Sequence, residues 1–204
     1  MKTVLVIDDN EDLVVLFSRM IRSGGYEVLT ALNSDDVKSV LEKTVPDIIL
    51  LDLMMAPVDG WEILSNIRAQ PKMFLVPVVI FTAKIPGNKE ITRHIGEIDD
   101  YIMKPVTQEE IVQVIRDTES RCYPLQEKLE KKLRSGADKN LVMEYLSLRR
   151  ELYTRKKVRA ISDQILRQGH QTDTLGGSGA SPEELERMSA VEEKVKELEQ
   201  TLQL

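Results

Sequence analysis

Two short runs, "IILL" at 48–51 and "VVIF" at 78–81, are apolar at every position. A strand with one face in water alternates apolar and polar residues. An unbroken run instead suits a strand buried on both sides, as in a parallel sheet covered by helices. The neighbouring segments supply such a sheet. "VLVI" (4–7), "YEVLTA" (26–31), "PDIILLD" (46–52), "VPVVIFT" (76–82) and "DYIM" (100–103) read as strands. The segments 11–24, 34–44, 60–70, 88–98 and 107–121 carry apolar residues three and four apart, the helical spacing. Ser34 and Thr107 suit N-caps, and Thr107 with Glu110 has capping-box spacing. Five β-α units in succession predict an α/β fold, a parallel sheet with helices on both faces.

Past residue 120 the strand pattern stops. Residues 125–133 and 139–168 read as helix interrupted at Ser135-Gly136, and 169–182 is rich in Gly, Ser and Thr, a loop or flexible linker. In the last segment Met188, Val191, Val195, Leu198 and Leu202 alternate spacings of three and four, a short coiled-coil-like seam. Four regions follow: an α/β domain over 1–121, a basic helical segment over 122–168, a linker over 169–182 and an amphipathic helix over 183–204. Charge divides the same way, with 12 Lys+Arg against 20 Asp+Glu in the first 120 residues and 16 against 14 in the rest. A lone Cys122 cannot form an intrachain disulfide, which fits a cytoplasmic protein, and no apolar run is long enough to span a membrane.

In an open parallel sheet the loops leaving the carboxyl ends of the strands line a crevice. Listing what stands there gives Asp8 and Asp9 after the first strand, Asp52 after the third, Thr82 after the fourth and Lys104-Pro105 after the fifth. Three carboxylates with one lysine call for a hard divalent cation, and Mg²⁺ with oxygen ligands suits this donor set better than zinc or copper. Such a site neutralises phosphoryl oxygens, while Lys104 adds a point charge and Thr82 a hydroxyl. Asp52, alone at the end of a central strand, is the best placed nucleophile for an in-line attack on phosphorus.

"VLVIDDNED", "DIILLDLMMAPVDGWE", "VVIFTA" and "DDYIMKP", in this order and spacing, resemble the receiver domain of two-component response regulators over about residues 1 to 121. The resemblance implies a flavodoxin-like sheet of order 2-1-3-4-5, followed here by an all-α extension. It implies phosphorylation of Asp52 by a sensor histidine kinase. It implies Mg²⁺ held by Asp9, Asp52 and the Met54 carbonyl, with Asp8 acting through water. Thr82, Ala83 and Lys104 would bind the phosphoryl group, Thr82 and Tyr101 would form the switch pair, and a cis bond before Pro105 would aim Lys104 into the crevice. Such a protein is no enzyme on free substrates; it catalyses only its own phosphorylation and dephosphorylation. The family usually has proline four residues after the phosphoacceptor, whereas Ala56 stands here and Pro57 follows, which leaves the loop geometry open. Met54 and Lys84 stand where the family controls phosphoryl lifetime.

The remaining acids Asp59, Glu62, Asp99 and Asp100 read as surface charges, and Trp61 as packing. His170, in a Gly/Gln/Thr stretch, makes a poor relay histidine. Residues 121–159 hold 12 Lys+Arg against 5 Asp+Glu. DNA binding is one reading of that excess. No helix-turn-helix pattern accompanies it, and Leu141, Tyr145, Leu148 and Leu152 make an apolar stripe that needs a cover. The acidic helix over 183–204 suits it by charge and by its own seam, either within one chain as a hairpin or from a second copy as a homodimer. Signalling through protein contacts of the tail is therefore favoured over a DNA-binding output, and a hydrolase acting on free phosphate esters is disfavoured by the missing cap domain.

Overall fold

A computed structural model describes residues 1–83, 93–167 and 182–204. The assigned elements are β1 (Thr3–Ile7), α1 (Glu11–Ser23), β2 (Glu27–Ala31), α2 (Ser34–Lys43), β3 (Ile48–Leu51), α3 (Gly60–Arg68), β4 (Val78–Thr82), a 3-10 turn (Ile95–Glu97), β5 (Asp100–Met103), α4 (Gln108–Arg134), α5 (Lys139–Arg167) and α6 (Pro182–Leu202). Their packing divides into two compact units: residues 1–83 with 99–123, and residues 93–98 with 124–167 and 182–204.

In the first unit the five strands form one parallel sheet of order β2-β1-β3-β4-β5, the flavodoxin-like arrangement. Both all-apolar strands are central, and every residue of β3 and β4 is buried. Alternate side chains leave a strand on opposite faces. One set, Val4, Val6, Ile48, Leu50, Val79 and Phe81, shares a core with Phe17 and Ile21 of α1 and with Ile111 and Ile115 of α4. The other set, Leu5, Ile7, Ile49, Leu51, Val78 and Ile80, is buried as fully. Helices therefore cover both faces, as the apolar runs require.

Local signals place the helix starts. Asn10 accepts from the Leu13 amide and Asn33 from the Asp36 amide, so α2 is capped one residue before the expected Ser34. The capping box at Thr107 is present: the Thr107 N–H donates to Glu110 Oε2 at 2.7 Å, and the Glu110 N–H donates to Thr107 Oγ1 at 3.2 Å.

Two acids depart from expectation. Asp99 and Asp100 are 4% and 1% exposed, so they are interior groups rather than surface charges. Arg68 donates to Asp99 Oδ2 at 2.8 Å, and the Val78 N–H donates to the same oxygen at 2.9 Å. Asp100 accepts from Arg121 at 3.1 Å and from Thr118 Oγ1 at 3.4 Å. A buried carboxylate requires such partners, and here they fix the start of β5.

The segments read separately over 107–121 and 125–133 form one helix, α4, with Pro124 inside it. The break at Ser135-Gly136 is real: Gly136 has φ 92°, and the Ala137 N–H closes on the Lys132 carbonyl at 3.0 Å, a glycine-terminated C-cap. In the second unit α5 and α6 pack together. Val191, Val195, Leu198 and Leu202 are buried, Met188 less so, as the seam predicts. On α5 the buried face is Val142, Tyr145 and Leu146, while Leu141, Leu148 and Leu152 of the expected stripe are half-buried. The charges pair across the helices, with Tyr145 donating to Glu199 at 3.0 Å, Lys156 meeting Glu192 at 2.7 Å and Arg187 meeting Glu151 at 3.2 Å. The seam is thus covered within one chain. Residues 84–92 and 168–181, with Lys84, the start of the expected helix over 88–98, His170 and nearly all of the expected linker, lie outside the described residues.

Candidate functional site

The rim of the sheet is built by register. Ile7 lies opposite Leu51, so the residues that follow, Asp8 and Asp52, leave adjacent strands at the same level. The Asp52 N–H donates to the Ile7 carbonyl at 2.9 Å and ties the two strand ends together. Thr82 ends β4 opposite Met103, which sets Lys104 one step beyond.

Lys104 reaches back across this rim. Its Nζ donates to Asp8 Oδ2 and, at 2.8 Å, to Asp52 Oδ2. It also stands 4.8 Å from the Phe81 ring centroid and 5.7 Å from that of Phe17, two rings packed edge to face. An ammonium over aromatic faces and between two carboxylates is held by charge on every side. Asp8 is 1% and Asp52 7% exposed. Two like charges buried side by side need a cation between them, and Lys104 fills that need.

Asp9 differs. It is exposed, and its Oδ2 accepts from the Ala56 N–H at 3.0 Å. Asp52 Oδ1 accepts from the Met54 N–H at 3.0 Å, so Asp9 and Asp52 grip the same loop from two ends. That loop carries cis bonds at Ala56-Pro57 as well as the expected one at Lys104-Pro105 elsewhere on the rim. Among the described residues no three acidic, histidine or cysteine side chains are gathered at metal-holding distance, and the expected ligand set also draws on the Met54 carbonyl and on water before Asp8. Burial separates the three carboxylates. Asp8 and Asp52 must be neutralised, whereas Asp9 is already solvated. Even so, the donors suit Mg²⁺ in kind, since all are hard oxygens and two of the carboxylates already converge on a single cation.

Thr82 is fully buried, and among the described residues its hydroxyl has no hydrogen-bond partner. Leaving a buried hydroxyl unpaired costs about 1–3 kcal/mol, so its presence at this rim points to a ligand it would meet. Ala83 follows it in an exposed bend, and Met54 is 58% exposed. Tyr101 is buried on β5. Burial first, then the charge of Asp52, pushes its hydroxyl well above the usual phenol range. The tyrosine therefore stays neutral and within electrostatic reach of Asp52.

Gly60 was not singled out by sequence. A Cβ there would stand 2.6 Å from Leu53 Cα and 3.1 Å from the Asp52 carbonyl carbon, backbone atoms that cannot swing aside. The close approach of α3 to the Asp52 loop thus requires glycine. Gly60→Ala is expected to cost about 2 kcal/mol of stability by overpacking, read as a lower urea midpoint.

The response regulator receiver domain family matches residues 4–116, over half of the chain, and the chain belongs to that family. It is 34% identical over 113 residues to the alkaline phosphatase synthesis transcriptional regulatory protein PhoP of Bacillus subtilis, covering 54% of this chain and 45% of that one. It is 35% identical over 127 residues to the transcriptional regulatory protein BaeR of Escherichia coli, covering 61% and 50%. The chain thus spans about half the length of the curated relatives it matches. Among solved structures, the chemotaxis protein CheY4 of Vibrio cholerae shares the fold at TM-score 0.55 and 22% identity, covering 58% of this chain and 98% of that one. The response regulator TrrA of Thermotoga maritima, solved in complex with Mg²⁺ and BeF, shares it at 0.51 and 24%, covering 58% and 99%.

Proposed function

We propose that the chain is a response regulator that takes a phosphoryl group from a sensor histidine kinase onto Asp52 and signals through protein contacts of its helical unit. The observation that carries this reading is the rim itself: Asp52 and Asp8 buried side by side, a lysine bridging them and an unpaired threonine hydroxyl beside them. An Asp52 oxygen attacks phosphorus, the bond from phosphorus to the donor's imidazole nitrogen breaks, and the imidazole leaves with its electron pair. Lys104 then pairs with one phosphoryl oxygen, and the Thr82 hydroxyl and Ala83 N–H donate to others. Mg²⁺, when bound by Asp8, Asp9, Asp52 and the Met54 carbonyl, supplies charge to offset the phosphoryl oxygens. Movement of Thr82 toward the phosphoryl group vacates space for the Tyr101 ring. Activity on free substrates is not part of this reading, and a cytoplasmic setting would keep Cys122 reduced.

The test is labelling with radioactive acetyl phosphate and Mg²⁺. The whole chain is expected to take up label, and Asp52→Asn to take up none. Label retained by Asp52→Asn overturns the assignment.

A second reading, a transcriptional output on DNA, draws on the likeness to the transcriptional regulatory proteins PhoP and BaeR and on the basic α5. Against it, Arg149, Arg155 and Lys156 of α5 are paired with Glu199, Glu151 and Glu192. The Arg149–Glu199 and Lys156–Glu192 pairs, which cross from α5 to α6, support with the covered seam an intrachain hairpin over a homodimer built on α6.

A further inference from the structure

We infer that Phe81 and Phe17 are positioning residues of the rim: their ring faces, and not their bulk alone, hold the Lys104 ammonium at the place from which it meets phosphoryl oxygens. The inference rests on the reading of Asp52 as phosphoacceptor. An ammonium carries three N–H donors. Lys104 gives two of them to Asp8 Oδ2 and Asp52 Oδ2, and among the described residues the third meets no oxygen. What the ammonium has instead is the ring of Phe81, 4.8 Å to the centroid, and that of Phe17, 5.7 Å to the centroid. Both lie inside the roughly 6 Å within which a ring face attracts a cation. The lysine side chain is 8% exposed, so solvent weakens this attraction little.

The rings are fixed. Phe81, on β4 beside Thr82, and Phe17, on α1, are both buried. Their centroids are 4.5 Å apart and their planes cross at 73°. A ring face is electron-rich and a ring edge electron-poor, so a ring free to turn would repel the ammonium in some of its orientations. Interlocking the two rings within the core removes that freedom. Packing alone does not call for an aromatic side chain at 81: Val4, Val6, Ile48, Leu50 and Val79, the other strand residues of this core, are all aliphatic. Yet two of the chain's three phenylalanines meet beside this ammonium. A ring face also has no fixed direction of acceptance, unlike an oxygen. The ammonium can therefore exchange a carboxylate oxygen for a phosphoryl oxygen on Asp52 while the rings go on supporting it.

Two measurements on the whole chain test the inference. One follows exchange of the Lys104 ammonium protons with water by nitrogen-15 NMR, at a fixed neutral pH and without metal. The other is the rate at which acetyl phosphate labels the protein at saturating Mg²⁺. Phe81→trifluorophenylalanine keeps the aromatic ring but draws electrons from its face. This variant is expected to exchange faster by about fivefold or more, the size of one partly desolvated cation–π contact. Its labelling is expected to slow by a similar factor, with a urea midpoint close to that of wild type. Phe81→Leu is expected to move both readouts the same way. A fluorinated variant that matches wild type overturns the inference even where Phe81→Leu is impaired, because the rings would then act by filling space. Faster exchange with unchanged labelling overturns the positioning role. A wild-type protein that takes up no label overturns the Asp52 reading itself, and this inference with it.

Discussion

Lys104→Met is expected to destabilise the folded chain by about 3 kcal/mol at neutral pH, and added Mg²⁺ to return most of that loss. The lysine side chain is 8% exposed and lies between the carboxylates of Asp8 and Asp52, themselves 2% and 9% exposed. Removing one partner of a buried ion pair costs about 3–5 kcal/mol because the charge left behind keeps its desolvation penalty. Here two like charges are left behind, and a methionine cannot answer either. A divalent cation can. At about a hundredfold excess over its dissociation constant, a ligand of the folded state returns about 2.7 kcal/mol. Urea unfolding with and without MgCl₂ checks both parts. An ion taking the same oxygens as the ammonium would compete with it in the wild type, so its stabilising effect should be smaller there than in Lys104→Met. Equal gains in the two proteins would mean that the carboxylates bridged by Lys104 are not the metal donors.

Arg68→Met is expected to cost about 4 kcal/mol, the largest effect among substitutions away from the rim. Arg68 donates to the Met73 carbonyl at 3.1 Å, to the Val76 carbonyl at 2.7 Å and to Asp99 at 2.8 Å, with both charged side chains at or below 8% exposed. Methionine fills much of the volume but satisfies none of these acceptors. Asp99 then loses its arginine and retains the Val78 amide at the start of β5. Denaturant titration reads the loss. The double variant with Asp99→Asn should recover a substantial part, since it removes the charge that Arg68 balanced. A single variant within about 1 kcal/mol of wild type would show that water reaches Asp99 readily.

The strands were legible because a fully buried parallel strand has a pattern little else produces: β3, and β4 up to its closing Thr82, are apolar at every position, and both fall inside the segments 46–52 and 76–82 read as strands from sequence. The rim was legible because strand ends converge by topology, so Asp8, Asp52, Thr82 and Lys104 follow once the strands are placed. What escaped depended on distant partners. Nothing in "IDDY" shows that Asp99 meets an arginine 31 residues earlier, so both acids passed for surface charges. Which of Asp8 and Asp9 turns inward is likewise decided by Lys104, 96 residues from Asp8. The segments read apart over 107–121 and 125–133 are one helix with Pro124 inside, since a proline removes one amide and a long helix absorbs that loss. On α5 the buried face includes Arg150, Thr154 and Arg155, residues a hydropathy pattern assigns to water. The helix packs against both α6 and the 93–98 turn, so no single apolar stripe describes it.

The placement of residues 93–98 with the helices bears on how such chains can be dissected and recombined. A fragment ending at Tyr123 holds every strand and every rim residue, yet it strips the packing partner from Ile95 and Ile98 and bares two isoleucines beside a glycine. That is a recipe for a sticky fragment rather than a self-sufficient module. Grafting this tail onto a foreign receiver would demand that the six-residue turn travel with it.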